Sequence, residues 1–197
     1  MMWSDALQFL LRVIFELAGL AFWLRFYMQW TRVPFRNPFA QFLVRVTDFA
    51  VRPLRRVVPG LFGYDWASLL LLFTTQLLWV LASQWLSGYP FAAAGAGIWP
   101  GLLLLALAAC LDLIVYAFIA LVLIQAVISW VNPFSPMAPV FYALARPVLA
   151  PFQRFIPPIA GIDLSPLFAI VCLQLLMIAP IAALERLARG WMGLTFG

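Results

Sequence analysis

Residues 34–68 read PFRNPFAQFLVRVTDFAVRPLRRVVPGLFGYDWAS, and residues 133–167 read PFSPMAPVFYALARPVLAPFQRFIPPIAGIDLSPL. Set 98 positions apart, they place Pro38, Pro53, Arg56, Pro59, Gly63 and Asp65 on Pro136, Pro151, Arg154, Pro157, Gly161 and Asp163. Upstream, Trp30 matches Trp130 when the second copy is taken two residues shorter. Self-similarity at a fixed period marks a duplicated unit. We therefore expect two tandem repeats, over 1–90 and 91–197, each made of a span, a proline-punctuated loop and a second span.

Composition says where such a unit resides. Of 197 residues, 66% are hydrophobic and 10% charged, and the mean hydropathy is +1.03, far outside the soluble range. The fold class expected is all-α: a polytopic helical membrane protein with about four transmembrane helices and interfacial amphipathic helices. The net charge of +5 comes from arginine, since the chain has no lysine. In a membrane protein such an excess reports orientation before nucleic acid. The chain also lacks histidine, which removes the commonest general base and the usual haem and zinc ligand. Cys110 and Cys172 stand singly in apolar runs without CxxC spacing and read as small core hydrophobes.

Leu7 to Trp30 is long enough to cross a bilayer, and it lacks the basic start and small-residue cleavage site of a signal peptide. It reads as a retained first span. Arg12 and Glu16, four residues apart, can neutralise each other, and Arg25 is near enough to the far end to snorkel. The loop that follows carries six arginines (32, 36, 45, 52, 55 and 56) against Asp48 and Asp65, which places it in the cytoplasm. Between Pro38 and Pro53, Phe39, Phe42, Leu43, Val46, Phe49 and Ala50 recur at helical spacing. This predicts an amphipathic helix lying in the interface, its arginines reaching for phosphate and Pro53 ending it. Asp65 or Ser68 can cap a second span from Trp66 to about Leu86.

From Ile98 to Val131 the chain is apolar apart from Asp112. One helix of this length measures roughly 50 Å against a core of about 30 Å. Either a single helix begins around Leu103, or Pro100 and Asp112 punctuate two shorter segments. One crossing returns the second loop to the cytoplasm as a parallel repeat, and two crossings make the repeat inverted. The likeness of the loops, and Arg146 and Arg154 against Asp163, favour four spans and the parallel repeat. Ser165 as N-cap with Pro166 at the first helical position starts the last span, to about Leu184, with Pro180 placed to kink it.

The pattern W…NPF…PLRRVVP…G-x-D-x-x-S, repeated as W…SPM…PFQRFIP…GIDLSP, resembles the YggT family (YggT/YlmG-type) of bacterial inner-membrane and chloroplast proteins. Its motif positions here are Pro38, Pro53, Arg55, Arg56, Pro59, Gly63 and Asp65, then Pro136, Pro151, Arg154, Pro157, Gly161, Asp163, Ser165 and Pro166. The copies differ: Gln153 stands where the first has Arg55, and Trp66, Ala67 and Ser68 replace the second copy's Leu164, Ser165 and Pro166. The resemblance implies a multi-pass protein of the inner (plasma) membrane. It also implies links to osmotic stress, to cell division or nucleoid placement, or to cofactor assembly on a chloroplast cytochrome.

The residues themselves point to no enzyme, cofactor or metal, because nucleophile–base chemistry has few candidates without histidine or lysine. Asp65 and Asp163 read first as helix caps beside a glycine turn. The alternative pairs each with the arginines of its own loop: Arg55 and Arg56, or Arg154. Intramembrane charge is a functional candidate by default, which singles out Arg12, Glu16 and Asp112. Arg12 and Asp112 fall in equivalent slots and could meet across the repeat axis; the alternative is Arg12 with Glu16 alone. Arg52, Arg55 and Arg56 suit anionic lipid headgroups or serve only as a topology signal, and direct nucleic-acid binding is not expected. Two functions remain. One is a non-enzymatic scaffold or assembly factor that presents its loops to lipid and to membrane or division proteins. The other is a small ion channel or transporter, for which four spans would require a homo-oligomer.

Overall fold

The computed structural model describes residues 2–33, 37–58, 60, 63–156 and 163–193. Among the described residues, eight α-helices follow one another: α1 Met2–Trp30, α2 Pro38–Leu54, α3 Trp66–Leu86, α4 Phe91–Ala94, α5 Trp99–Val131, α6 Ala138–Phe155, α7 Ser165–Leu176 and α8 Ala182–Trp191. Four helical stretches among the described residues are long and apolar enough to cross a membrane: Asp5–Trp30, Trp66–Leu86, Ala96–Val131 and Ser165–Trp191. Their outward residues, such as Phe9, Ile14, Leu17, Leu78, Leu123 and Val171, remain exposed hydrocarbon, as a lipid-facing surface requires.

The ambiguous central stretch is one unbroken helix. Pro100 sits in the first turn of α5, where its missing N–H costs nothing, and Asp112 interrupts no hydrogen bonding. A single crossing puts both loops at the same end of the bundle. There Tyr27 Oη donates to the Leu144 carbonyl at 2.8 Å, and the rings of Phe39 and Phe141 lie 5.8 Å apart. At the opposite end, Tyr89 Oη donates to the Met192 carbonyl at 2.7 Å. Gly101 lets α8 approach α5 closely, since a Cβ there would stand 2.8 Å from the Ala188 carbonyl oxygen.

Two features of the first loop are local chemistry. Arg32 takes a left-handed conformation (φ 53°), and Val33 N–H and Arg32 N–H reach back to the Met28 and Gln29 carbonyls, closing α1 in a Schellman turn. Asn37 then caps α2, its side-chain oxygen accepting from Ala40 N–H at 2.8 Å with Pro38 in the first turn. Pro53 falls inside the last turn, so α2 stops at Leu54, one residue later than expected.

α2 packs its smaller side chains against the bundle and leaves much of the apolar row expected at the interface facing outward. Ala40, Leu43, Thr47 and Val51 are buried, while Phe42, Val46 and Phe49 lie exposed. Thr47 is buried because it has a polar partner inside the bundle, described below. The last span runs on to Trp191 rather than Leu184, because a π-helical turn, Met177–Ile181, absorbs Pro180 without breaking the helix.

Candidate functional site

Beneath the first loop, charges from three helices converge on a buried guanidinium. Arg25, near the loop end of α1, is 4% exposed. Its Nη1 donates to Thr47 Oγ1 at 2.7 Å and to Asp48 Oδ1 at 2.8 Å, both on α2, and its Nε lies 3.5 Å from Asp65 Oδ2 at the start of α3. Snorkelling is therefore not what Arg25 does. A buried arginine is tolerated only when paired and hydrogen-bonded; two carboxylates pair with it and Thr47 and Asp48 accept from Nη1, while Nε makes no hydrogen bond.

Asp65 is the second hub. Its carboxylate accepts from Arg55 Nε at 3.1 Å and Arg55 Nη2 at 2.5 Å, and from Ser68 Oγ at 2.7 Å. It makes no side-chain cap on α3, so the capping expectation gives way to the ion-pair alternative, with Arg55 rather than Arg56 as partner. Burial alone would raise the Asp65 carboxyl. The hydrogen bonds from Arg55 and Ser68, with the charges of Arg55 and Arg25, outweigh burial and hold it below the ordinary carboxylate value. Arg55 is raised in turn, chiefly by its bond to Asp65. Asp48 carries a further arginine, Arg52 Nη2 at 2.7 Å. Gly63, at φ 80°, makes the turn that brings Asp65 under the loop.

The second repeat keeps the carboxylate and changes its surroundings. Asp163 Oδ2 accepts from Gln153 Nε2 at 2.9 Å and its Oδ1 from Ser165 N–H at 2.8 Å. The partner is thus Gln153, in the slot of Arg55, and not Arg154. Ser165 is the first helical residue of α7 rather than its cap; Leu164 holds the cap position, and Pro166 follows in the first turn. Burial pushes Asp163 up, but hydrogen bonding from Ser165 and Gln153 leaves it lowered. By the repeat offsets, Arg25 becomes Gln125, Asp48 becomes Arg146 and Ser68 becomes Pro166. The charged lock of the first repeat is a neutral contact in the second. Among the other motif positions, Pro136 precedes α6 and Pro151 lies within it; Pro59, Pro157 and Gly161 fall outside the described residues.

The intramembrane charges do not meet across the repeats. Arg12 Nε pairs with Glu16 Oε1 at 2.7 Å on the outer face of α1. Asp112 instead faces Glu185 of α8, whose carboxylate lies 3.5 Å from Arg189 Nη2. Asp112 stands about 28 Å along α5 from Val131, and Glu185 about 30 Å from Ser165, so both sit toward the end away from the loops. Sequence reasoning passed over Glu185, and it passed over Thr47 and Asp48 as partners of Arg25. The available signal for the latter was the joint change of Arg25 and Arg55 to glutamine in the second copy.

A tandem-repeat helical membrane protein with a buried ionic hub under one loop is the class these features define. A profile of the CCB3/YggT family matches residues 4–86 and 104–184. The chain belongs to the CCB3/YggT family. It is 35% identical over 175 residues to uncharacterized protein PA0392 of Pseudomonas aeruginosa, covering 88% of this chain and 87% of that one. It is also 35% identical over 175 residues to uncharacterized protein YggT of Escherichia coli K12, covering 87% of each. An uncharacterized protein in the proC 3′ region of Vibrio alginolyticus is 34% identical over 172 residues, 86% of this chain and 90% of that one. No solved structure matches the chain.

Proposed function

We propose that the protein is a non-enzymatic scaffold or assembly factor of the bacterial inner membrane. Its two repeats, 1–90 and 91–197, present their loops on the cytoplasmic side to other membrane proteins and to anionic lipid. The observation that carries this reading is the Arg25–Asp48–Asp65–Arg55 hub. Two of its members lie at 5% side-chain exposure or less, and its bonds tie α2 to α1 and α3. Such a network positions a surface. What it positions is the outward row of Phe42, Val46 and Phe49 beside the exposed Arg45, Arg52 and Arg56. Apolar and basic side chains together on an interfacial helix suit the headgroup boundary and the flanks of a neighbouring membrane protein.

A photo-crosslinking residue at position 49, in intact cells, tests the reading. Discrete protein adducts that Asp65→Ala abolishes are expected. Adducts unchanged by Asp65→Ala would overturn it, as would none at all.

One observation favours a second reading, a small ion channel or transporter: Asp112 and Glu185 bring two carboxylates together on the apolar helical stretches, toward the end away from the loops. Potassium and sodium flux into liposomes carrying purified protein separates the two. Flux that Asp112→Asn with Glu185→Gln abolishes would establish transport, and its absence from folded protein supports the scaffold.

A further inference from the structure

The cleft between the repeats holds polar groups that the fold leaves unused. It has a volume of about 260 Å³ and is lined by Trp30 and Thr31 from the end of α1 and by Ala143, Arg146 and Pro147 of α6. Arg146 is exposed and makes no hydrogen bond or ion pair with any described residue. Its counterpart in the first repeat, Asp48, is neutralised by Arg25 and Arg52, but Gln125 stands in the Arg25 slot and offers no charge. The reversal of sign at this position leaves a positive charge without a counter-ion among the described residues.

The chemistry of the lining selects the ligand. Thr31 Oγ1 already donates to the Tyr27 carbonyl, Ala143 has no polar side-chain atom, and Pro147 lacks an N–H. The donors left are the Arg146 guanidinium and the Trp30 indole N–H, which has no partner among the described residues. Two donors, one charged, call for an anion. A half-exposed tryptophan at the end of a span lies at headgroup depth, where phosphate is the anion at hand.

We propose that this cleft is a phosphate seat, taking the headgroup phosphate of an anionic phospholipid between the two repeats. The seat is separate from the arginines of the first loop and does not depend on the scaffold reading; it requires only that the loop end of the bundle lie at a membrane surface.

Native mass spectrometry of the whole protein tests it, with phosphatidylglycerol and phosphatidylcholine titrated separately. Phosphatidylglycerol should be retained over phosphatidylcholine, and Arg146→Gln should weaken its retention about fivefold. Arg146→Lys should keep most of it, and Arg186→Gln, on α8 at the end away from the loops, should leave it unchanged. Since Arg146 is exposed and unbonded, its variants should match the parent in thermal melting. Equal retention by Arg146→Gln and the parent would overturn the proposal, and so would equal binding of the two lipids. Inorganic phosphate at millimolar concentration should not displace the lipid; displacement would keep the phosphate chemistry and overturn the lipid as its source.

Discussion

Asp65→Ala removes the carboxylate that accepts from Arg55 and Ser68 and forms an ion pair with Arg25, and Asp163→Ala removes its counterpart in the second repeat. The two should cost very different amounts. Asp65 has a 2% exposed side chain, and its loss leaves the buried Arg25 with Asp48 as its only carboxylate. Breaking a buried pair costs about 3–5 kcal/mol when the remaining charge is stranded, and Asp48 keeps this case at the low end. Arg55 is 42% exposed, so solvent screening holds its share near the surface value of about 0–1 kcal/mol. Ser68 adds about 1.5 kcal/mol as a bond to a charged group, part of which water restores. A net loss of about 3–5 kcal/mol follows for Asp65→Ala. Asp163 bonds a neutral amide and one backbone N–H at a half-buried site, so its alanine variant should lose about 1 kcal/mol. Unfolding in mixed micelles, followed by tryptophan fluorescence, reads both. Equal losses, or a loss below about 1 kcal/mol for Asp65→Ala, would refute the hub as the difference between the repeats.

Three further outcomes are expected. Because the folded Asp65 carboxyl is held below its unfolded value of about 3.9, its contribution is full above about pH 5 and is lost as pH falls through the lowered folded value. The stability gap between parent and Asp65→Asn should therefore narrow below about pH 4, and a gap constant into stronger acid would contradict this. Exchanging Arg12 and Asp112 should give no rescue, with a coupling energy below about 0.5 kcal/mol in a double-mutant cycle, since each group has another neighbour. Gly101→Ala would put a Cβ 2.6 Å from Met192 Cγ and 2.8 Å from the Ala188 carbonyl, so α8 must move. A loss of about 1–3 kcal/mol in thermal unfolding is expected, and an unchanged protein would refute the close approach.

The spans and their number were legible because hydrophobic length is a one-dimensional property: Trp66–Leu86 has the bounds its composition suggests. The duplicated punctuation located the loops, and a single α5 crossing placed them together. Side-chain partnership was harder to read, because it is set by three-dimensional packing. Arg25 meets Thr47, Asp48 and Asp65, residues 22 or more positions away, and nothing in the periodicity of α1 says which way its guanidinium faces. Counting arginines on the loop suggested an orientation and concealed its pairing. The burial of Thr47 had the same source: a hydroxyl that periodicity assigns to neither face is buried where a guanidinium meets it. Asp112 was visible as an intramembrane carboxylate. Its neighbour Glu185 lay past the point where the last span was expected to end, and only the π turn around Pro180 carries the helix that far.

The central claim is that Arg25 fastens the amphipathic helix of the first loop to the bundle. Hydrogen exchange on the Arg25→Gln variant, which gives the first repeat the residue the second one carries, tests it most directly. Protection of 38–54 should fall by about tenfold or more, the equivalent of about 1.4 kcal/mol, while 138–155 keeps the protection of the parent. Unchanged exchange in 38–54, or equal loosening of both loop helices, would contradict the account.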